Sequence, residues 1–104
     1  MITEKDVEDA LEKLGNPELL ALALGEKIKA EHMLKVTKAL EMKKTEGAVA
    51  AQEREACASV EYRMAIQVVV NSTITYEKEK AYVEANKMTI ALYRTQQANQ
   101  RYNI

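Results

Sequence analysis

Val68-Val69-Val70-Asn71-Ser72-Thr73-Ile74-Thr75 reads in two ways, and the architecture of the whole chain turns on which is right. The run is β-branched nearly throughout and Asn71-Ser72 suits a tight turn, so local preference favours a hairpin. The spacing on both sides favours a helix. Val70, Ile74, Ala81, Ala85, Met88, Leu92 and Tyr102 fall on one helical face, and Tyr62, Ile66, Val69, Tyr76, Val83 and Ile90 on a neighbouring one. No Gly or Pro interrupts the 45 residues after Ser59, and an isolated two-stranded hairpin is marginal without a sheet to join. The reading adopted is one helix over 60–102, capped by Ser59 ahead of Val60-Glu61. Its two apolar stripes form a band that must be covered on more than one side, by the other helices or by a second copy of the chain.

The rest of the chain reads as helix too. Thr3-Glu4-Lys5-Asp6 has the form of a capping box, followed by Val7, Ala10, Leu11 and Leu14 at helical spacing, which predicts a short helix over 4–14 stopped at Gly15. Asn16-Pro17-Glu18 is a start signal, with Asn as cap, Pro at the first helical position and an acid facing the helix dipole. From there a long helix is expected over 17–46, bent or broken at Gly25 and ended by Gly47; Leu20, Leu24, Ile28, Ala30, Met33, Leu34 and Leu40 make its apolar stripe. Ala48 to Ala58, with Gln52-Glu53-Arg54-Glu55 at its centre, predicts a short helix over 49–58. The expected fold is all-α and a single domain over 1–104. It is an antiparallel helical hairpin of two long helices, about 45 and 65 Å at 1.5 Å per residue, with two short helices, coiled-coil-like and oligomeric. The last turns of the C-terminal helix overhang, leaving Leu92, Tyr93, Ala98 and Tyr102 for the N-terminal helix or another copy to cover.

With 104 residues, three Gly and one Pro, the chain lacks the turn punctuation of a many-stranded sandwich or barrel. Fifteen Lys and Arg against sixteen Asp and Glu leave a formal charge of −1, so any attraction to nucleic acid must be local. No apolar run approaches the roughly 18 residues of a membrane span. The lone Cys57 and the absence of a charged-then-apolar leader suggest a reducing, cytoplasmic setting. One His and one Cys do not build a structural zinc site or a nucleophile–histidine pair. His32 reads as an exposed or half-buried histidine, and Cys57, between Ala56 and Ala58, as a small buried hydrophobe. The five Met and the aliphatic stripes read first as core. Gly15, Gly25 and Gly47 belong to no phosphate-binding string. No cofactor, no metal and no enzymatic activity are expected.

Charge is unevenly placed. Met1 to Leu20 carries six acids and two bases, whereas Glu26 to Thr45 carries six bases and three acids, so the first helix is expected to fold onto the second. Within the basic stretch, Lys35 and Lys38 belong to a lysine-rich face. The segment Tyr93-Arg94-Thr95-Gln96-Gln97-Ala98-Asn99-Gln100-Arg101-Tyr102-Asn103-Ile104 has two Arg, five amides and no acid. Arg94 and Arg101 lie seven residues apart on one side of a helix, with Gln97 and Gln100 close to that face. Arg, Tyr and amide side chains suit phosphates and unpaired bases, and equally protein interfaces.

Arg54-Glu55-Ala56 and Ser59-x-Glu61-Tyr62, followed about thirty residues on by Tyr93 to Arg101, resemble small helical proteins encoded by bacteriophages, often in early or recombination-related gene regions. The resemblance covers roughly the last two thirds of the chain, leaves Met1 to Leu14 outside, and implies no established activity. It points to Arg54, Tyr62, Arg94 and Arg101 as functional positions, and to the cytoplasm of a bacterial host. The expectation is a non-enzymatic, self-associating adaptor that binds a protein partner in DNA metabolism or counters a host factor. Arg54, Tyr62, Lys35, Lys38, Arg94, Gln97, Arg101 and Tyr102 are its binding residues; Val70, Ile74, Ala81, Ala85, Met88 and Leu92 are its self-association face. Two alternatives stand beside it: a nucleic-acid-binding accessory protein using the lysine face and the C-terminal Arg, Tyr and Gln residues, and a structural coiled-coil module.

Overall fold

A computed structural model of the protein describes residues 1–14 and 17–102. The expected stop at Gly15 and cap at Asn16 lie outside the described residues, as do Asn103, Ile104 and the side chain of Tyr102. Four helices follow one another, α1 (Glu4–Leu14), α2 (Glu18–Met42), α3 (Val49–Ala58) and α4 (Val60–Tyr102), with no strand among the described residues. The Val68–Thr75 stretch is helical. Its polar members are accommodated by bonding back along the helix, the Ser72 hydroxyl donating to the Val69 carbonyl at 3.0 Å and Thr75 to that of Asn71 at 3.0 Å.

Local signals place the helix ends. The Thr3 amide donates to the Asp6 carboxylate at 2.9 Å and the Asp6 amide to the Thr3 hydroxyl at 3.2 Å, closing the reciprocal box that starts α1. Those two bonds, the backbone one first, hold the Asp6 carboxyl below its ordinary value. Ser59 is extended, with φ −68° and ψ 152°. Its hydroxyl accepts from the Tyr62 amide at 3.1 Å and donates to the Ala56 carbonyl at 2.7 Å, so one side chain ends α3 and begins α4.

α2 departs from expectation in three respects. It runs through Gly25 without a break. It ends at Met42 rather than Glu46, because the chain tightens into turns in which the Lys44 amide bonds Glu41 and that of Thr45 bonds Met42; Gly47 then takes a φ of 112°. Its inward face keeps only Leu20, Ala30 and Leu34 of the expected stripe. Ala23 and Ala30 are buried, with Leu20, Lys27, Leu34 and Lys38 half-buried between and beyond them, while Leu24, Ile28, Met33 and Leu40 stay exposed. Alanines allow neighbours close approach and the lysine stems lie along the same face. Most of the core reading of the methionines and aliphatic stripes falls with it, since Met64 and Met88 are exposed as well.

The chain forms two compact units, Met1–Ala21 with Glu77–Ile104, and Leu22–Tyr76. In the first, α1 turns Val7, Ala10 and Leu14 inward, with Ala10 2% exposed and Leu11 left outside, and the Lys13 ammonium sits 5.1 Å above the Tyr82 ring of α4. The acidic α1 therefore finds its partner in α4. In the second unit, Lys27 lies 4.9 Å above the Tyr76 ring and Lys38 bonds Glu53 of α3 at 2.6 Å. The three ion pairs among the described residues, Lys38–Glu53, Lys44–Glu41 and Lys87–Glu84, draw nothing from α1, contrary to the expected neutralisation of the basic stretch. α3 turns Ala56 inward, 1% exposed, and leaves Cys57 on the surface, which overturns the buried reading of that thiol.

Nothing lies within 4 Å of a methyl group built on Gly25, so Gly25→Ala raises stability by about 1 kcal/mol by helix propensity. Gly47→Ala lowers it by a similar amount, about 1 kcal/mol, because of the positive φ. Urea unfolding of the two variants checks both signs. Ser59→Ala removes a cap between two helices and costs about 1 kcal/mol in the same assay.

Candidate interaction face

The less exposed positions of α4 advance in alternating steps of three and four. The series is Tyr62, Ala65, Val69, Ser72 and Tyr76 in the second unit, then Glu79, Val83, Asn86, Ile90, Tyr93 and Gln97 in the first, with Thr73, Thr89 and Gln96 half-buried beside it. A spacing averaging 3.5 residues keeps one side of a helix against its neighbours along its whole length. The other side carries Val70, Ile74, Ala81, Ala85, Met88 and Leu92, and every one of them is exposed.

The predicted binding residues divide between the units. Arg94, Gln97 and Arg101 come together on α4 of the first, where they line a shallow cavity of about 330 Å³ with Tyr93 and Ala98. Both arginines are exposed and have no ion-pair partner among the described residues, while Gln97 and Tyr93 are half-buried. Two guanidinium groups, an amide and a phenol ring converge there, a set that presents planar donors beside a stacking surface. The neighbouring Gln96 has a side-chain oxygen shielded from solvent and without a hydrogen-bond donor; the Asn86 amide nitrogen, further along the covered side, is likewise unpartnered. Tyr102, predicted beside them, contributes a position but no described side chain.

In the second unit Lys35 and Arg54 are exposed, Tyr62 is half-buried, and Lys38 is engaged. The Glu53 carboxylate accepts from the Lys38 ammonium, and that hydrogen bond holds the lysine above its ordinary value and the glutamate below its own. Lys38 is thus committed to docking α3, which removes it from the freely presented lysine face.

The sequence reading did not anticipate a second cavity of the first unit, of about 440 Å³. Asp9, Glu12 and Lys13 of α1, Leu19 and Leu20 of α2, and Glu79, Tyr82 and Val83 of α4 line it. Its lining sets three carboxylates beside Lys13, whose ammonium already sits over the Tyr82 ring. The sequence signal was Glu79, the one charged residue in the half-buried series of α4 that runs from Tyr62 to Gln97. Among the described residues no group of three or more His, Cys, Asp or Glu side chains is placed to hold a metal ion, and no helix is long and apolar enough to cross a membrane. Compared with protein-family models, with curated proteins and with solved structures, the chain matches none.

The Lys38–Glu53 pair sets a pH dependence. Glu53 is lowered, so its contribution is present above the ordinary glutamate range and is lost as pH falls through the folded-state value. Lys38 is raised, so its contribution survives until pH rises past the folded-state ammonium value. The difference in urea midpoint between the parent and Glu53→Gln is expected to be constant around neutrality and to vanish at acid pH. A difference unchanged by acid would contradict the pairing.

Proposed function

We propose that the chain is a non-enzymatic helical adaptor, a self-associating antiparallel helical hairpin with coiled-coil-like packing, that docks on a protein partner. The observation that carries this reading is the surplus of apolar surface. Only four alanines form the buried core, while eighteen large apolar side chains are exposed among the described residues. Apolar surface retained on that scale marks interaction sites.

The docking chemistry belongs to the C-terminal part of α4. Arg94 and Arg101 reach partner carboxylates as bidentate donors, Gln97 supplies an amide and Tyr93 a flat contact, in a segment without any acid to compete for the arginines. The resemblance to phage-encoded helical proteins suggests the setting, a bacterial host cytoplasm with a partner in DNA metabolism or a host factor to be countered. A nucleic-acid reading is favoured by the same cavity, since cation, amide and aromatic groups also suit phosphates and unpaired bases. The engagement of Lys38 by Glu53 and the formal charge of −1 weigh against it.

Arg94→Ala/Arg101→Ala in the full chain separates the two. Titration of single-stranded and duplex DNA across a salt series is expected to show no binding at low salt by either form, while a partner captured by the parent from bacterial extract is lost by the variant. Binding with a steep salt slope that falls by about 2 in the variant, one unit per phosphate contact removed, would overturn the adaptor reading in favour of DNA.

A further inference from the structure

From Glu77 onward, within the first unit, α4 carries a seven-residue repeat. Glu77, Glu84, Ala91 and Ala98 occupy one position of it, and Lys80, Lys87, Arg94 and Arg101 the position three residues later. All eight are exposed. Seven residues make just under two turns, so each set runs along the helix as a line that drifts by only about 20° per repeat. The basic line extends over about 30 Å, from Lys80 to Arg101.

The two halves of that line differ in one respect. Where the earlier position is glutamate, the base has an acid one turn back on its own helix, and Lys87 lies 3.5 Å from Glu84. Where it is alanine, that acid is gone. Arg94 and Arg101 have no ion-pair partner among the described residues, and no Asp or Glu follows Glu84 in the chain. The alanine also leaves room, since Ala98 lines the cavity of about 330 Å³ between the two arginines, with Tyr93 and Gln97. A carboxylate brought in from outside takes there the part that Glu84 plays for Lys87.

We propose that the occupant of this face is an acidic helix of the protein partner, with a Glu or Asp every seven residues turned toward Arg94 and Arg101. The inference rests on the adaptor reading and names the chemistry of its partner. Charge complementarity selects the acid, because Ala85 to Ile104 holds three bases and nothing to neutralise them. The repeat selects the helix. Arg94 and Arg101 stand about 10 Å apart along α4, and residues seven apart on a second helix beside it keep that distance over successive turns. Each guanidinium holds a carboxylate through two parallel hydrogen bonds, which fixes the register of the partner as well as attracting it. The small Ala91 and Ala98 beside the arginines keep the approach clear.

The test titrates the full chain with synthetic peptides of four heptads, uncharged apart from one Glu per heptad, with helix content measured for every peptide and variant. One peptide keeps its Glu residues seven apart. A second has the same composition with them five apart, so that they spiral around the helix; a third keeps the seven-residue spacing but carries two central Pro that break the helix. The first is expected to bind, and the other two about tenfold more weakly. Arg94→Ala/Arg101→Ala is expected to abolish that preference. So is Ala91→Glu/Ala98→Glu, which keeps both arginines but gives each an acid one turn back. No binding of the first peptide at about 1 mM, equal binding of all three, or a preference that survives Ala91→Glu/Ala98→Glu would each overturn the acidic helix. A single-stranded oligonucleotide that displaces the first peptide at equal concentration would overturn it in favour of nucleic acid. Peptide failure alongside arginine-dependent partner capture overturns the acidic helix alone, whereas capture that survives Arg94→Ala/Arg101→Ala overturns the adaptor's docking site and this inference with it.

Discussion

A helix with apolar residues around more than half of its circumference has no single-layer solution in water, and α4 imposes that constraint on the rest of the chain. One side, stepping by three and four residues from Tyr62 to Gln97, is partly covered by α1, α2 and α3 within the two units. These helices bring little bulk. Their buried contributions are Ala10, Ala23, Ala30 and Ala56, which permit close approach but remove little apolar area from water. The remaining side of α4, and Leu22, Ile28, Met33 and Leu40 of α2, keep their apolar surface.

The polar contacts that hold the short helices in place are correspondingly few and exposed. α3 is tied by Lys38–Glu53, and α1 by Lys13 above Tyr82. Contacts of that kind are individually weak in water. The helix boundaries are more firmly set than the packing between helices, since the Thr3–Asp6 box and the doubly bonded Ser59 are local and need no tertiary partner.

That difference explains what could be read from the amino acids. Thr3, Asp6 and Ser59 act through bonds a few residues long, so their roles were legible, whereas the stop expected at Gly47 comes earlier, at Met42, where the chain tightens into turns. The β-branched run at Val68–Thr75 was legible only through the spacing on either side of it, because Ser72 and Thr75 satisfy themselves by bonding back within the helix. The inward face of α2 was legible at Leu20, Ala30 and Leu34 but not at Ala23, because hydrophobicity points to Leu24 and Ile28, whereas close approach selects the small Ala23. Cys57 was misplaced by a single position for the same reason, since α3 buries its neighbour Ala56. Of the predicted binding residues, Arg94, Gln97 and Arg101 converge because one helix carries all three; Lys38 does not join an open lysine face because Glu53, fifteen residues away, reaches it. The Asp9, Glu12 and Glu79 cavity was invisible, as it arises only when three helices meet.

The central claim is that the native chain covers its α4 band from outside. For a protein that folds as it associates, the melting temperature depends on concentration by mass action. Thermal unfolding followed by circular dichroism over a roughly hundredfold range of protein concentration tests this directly. The account predicts a melting temperature that climbs steadily with concentration; a temperature independent of concentration would contradict it.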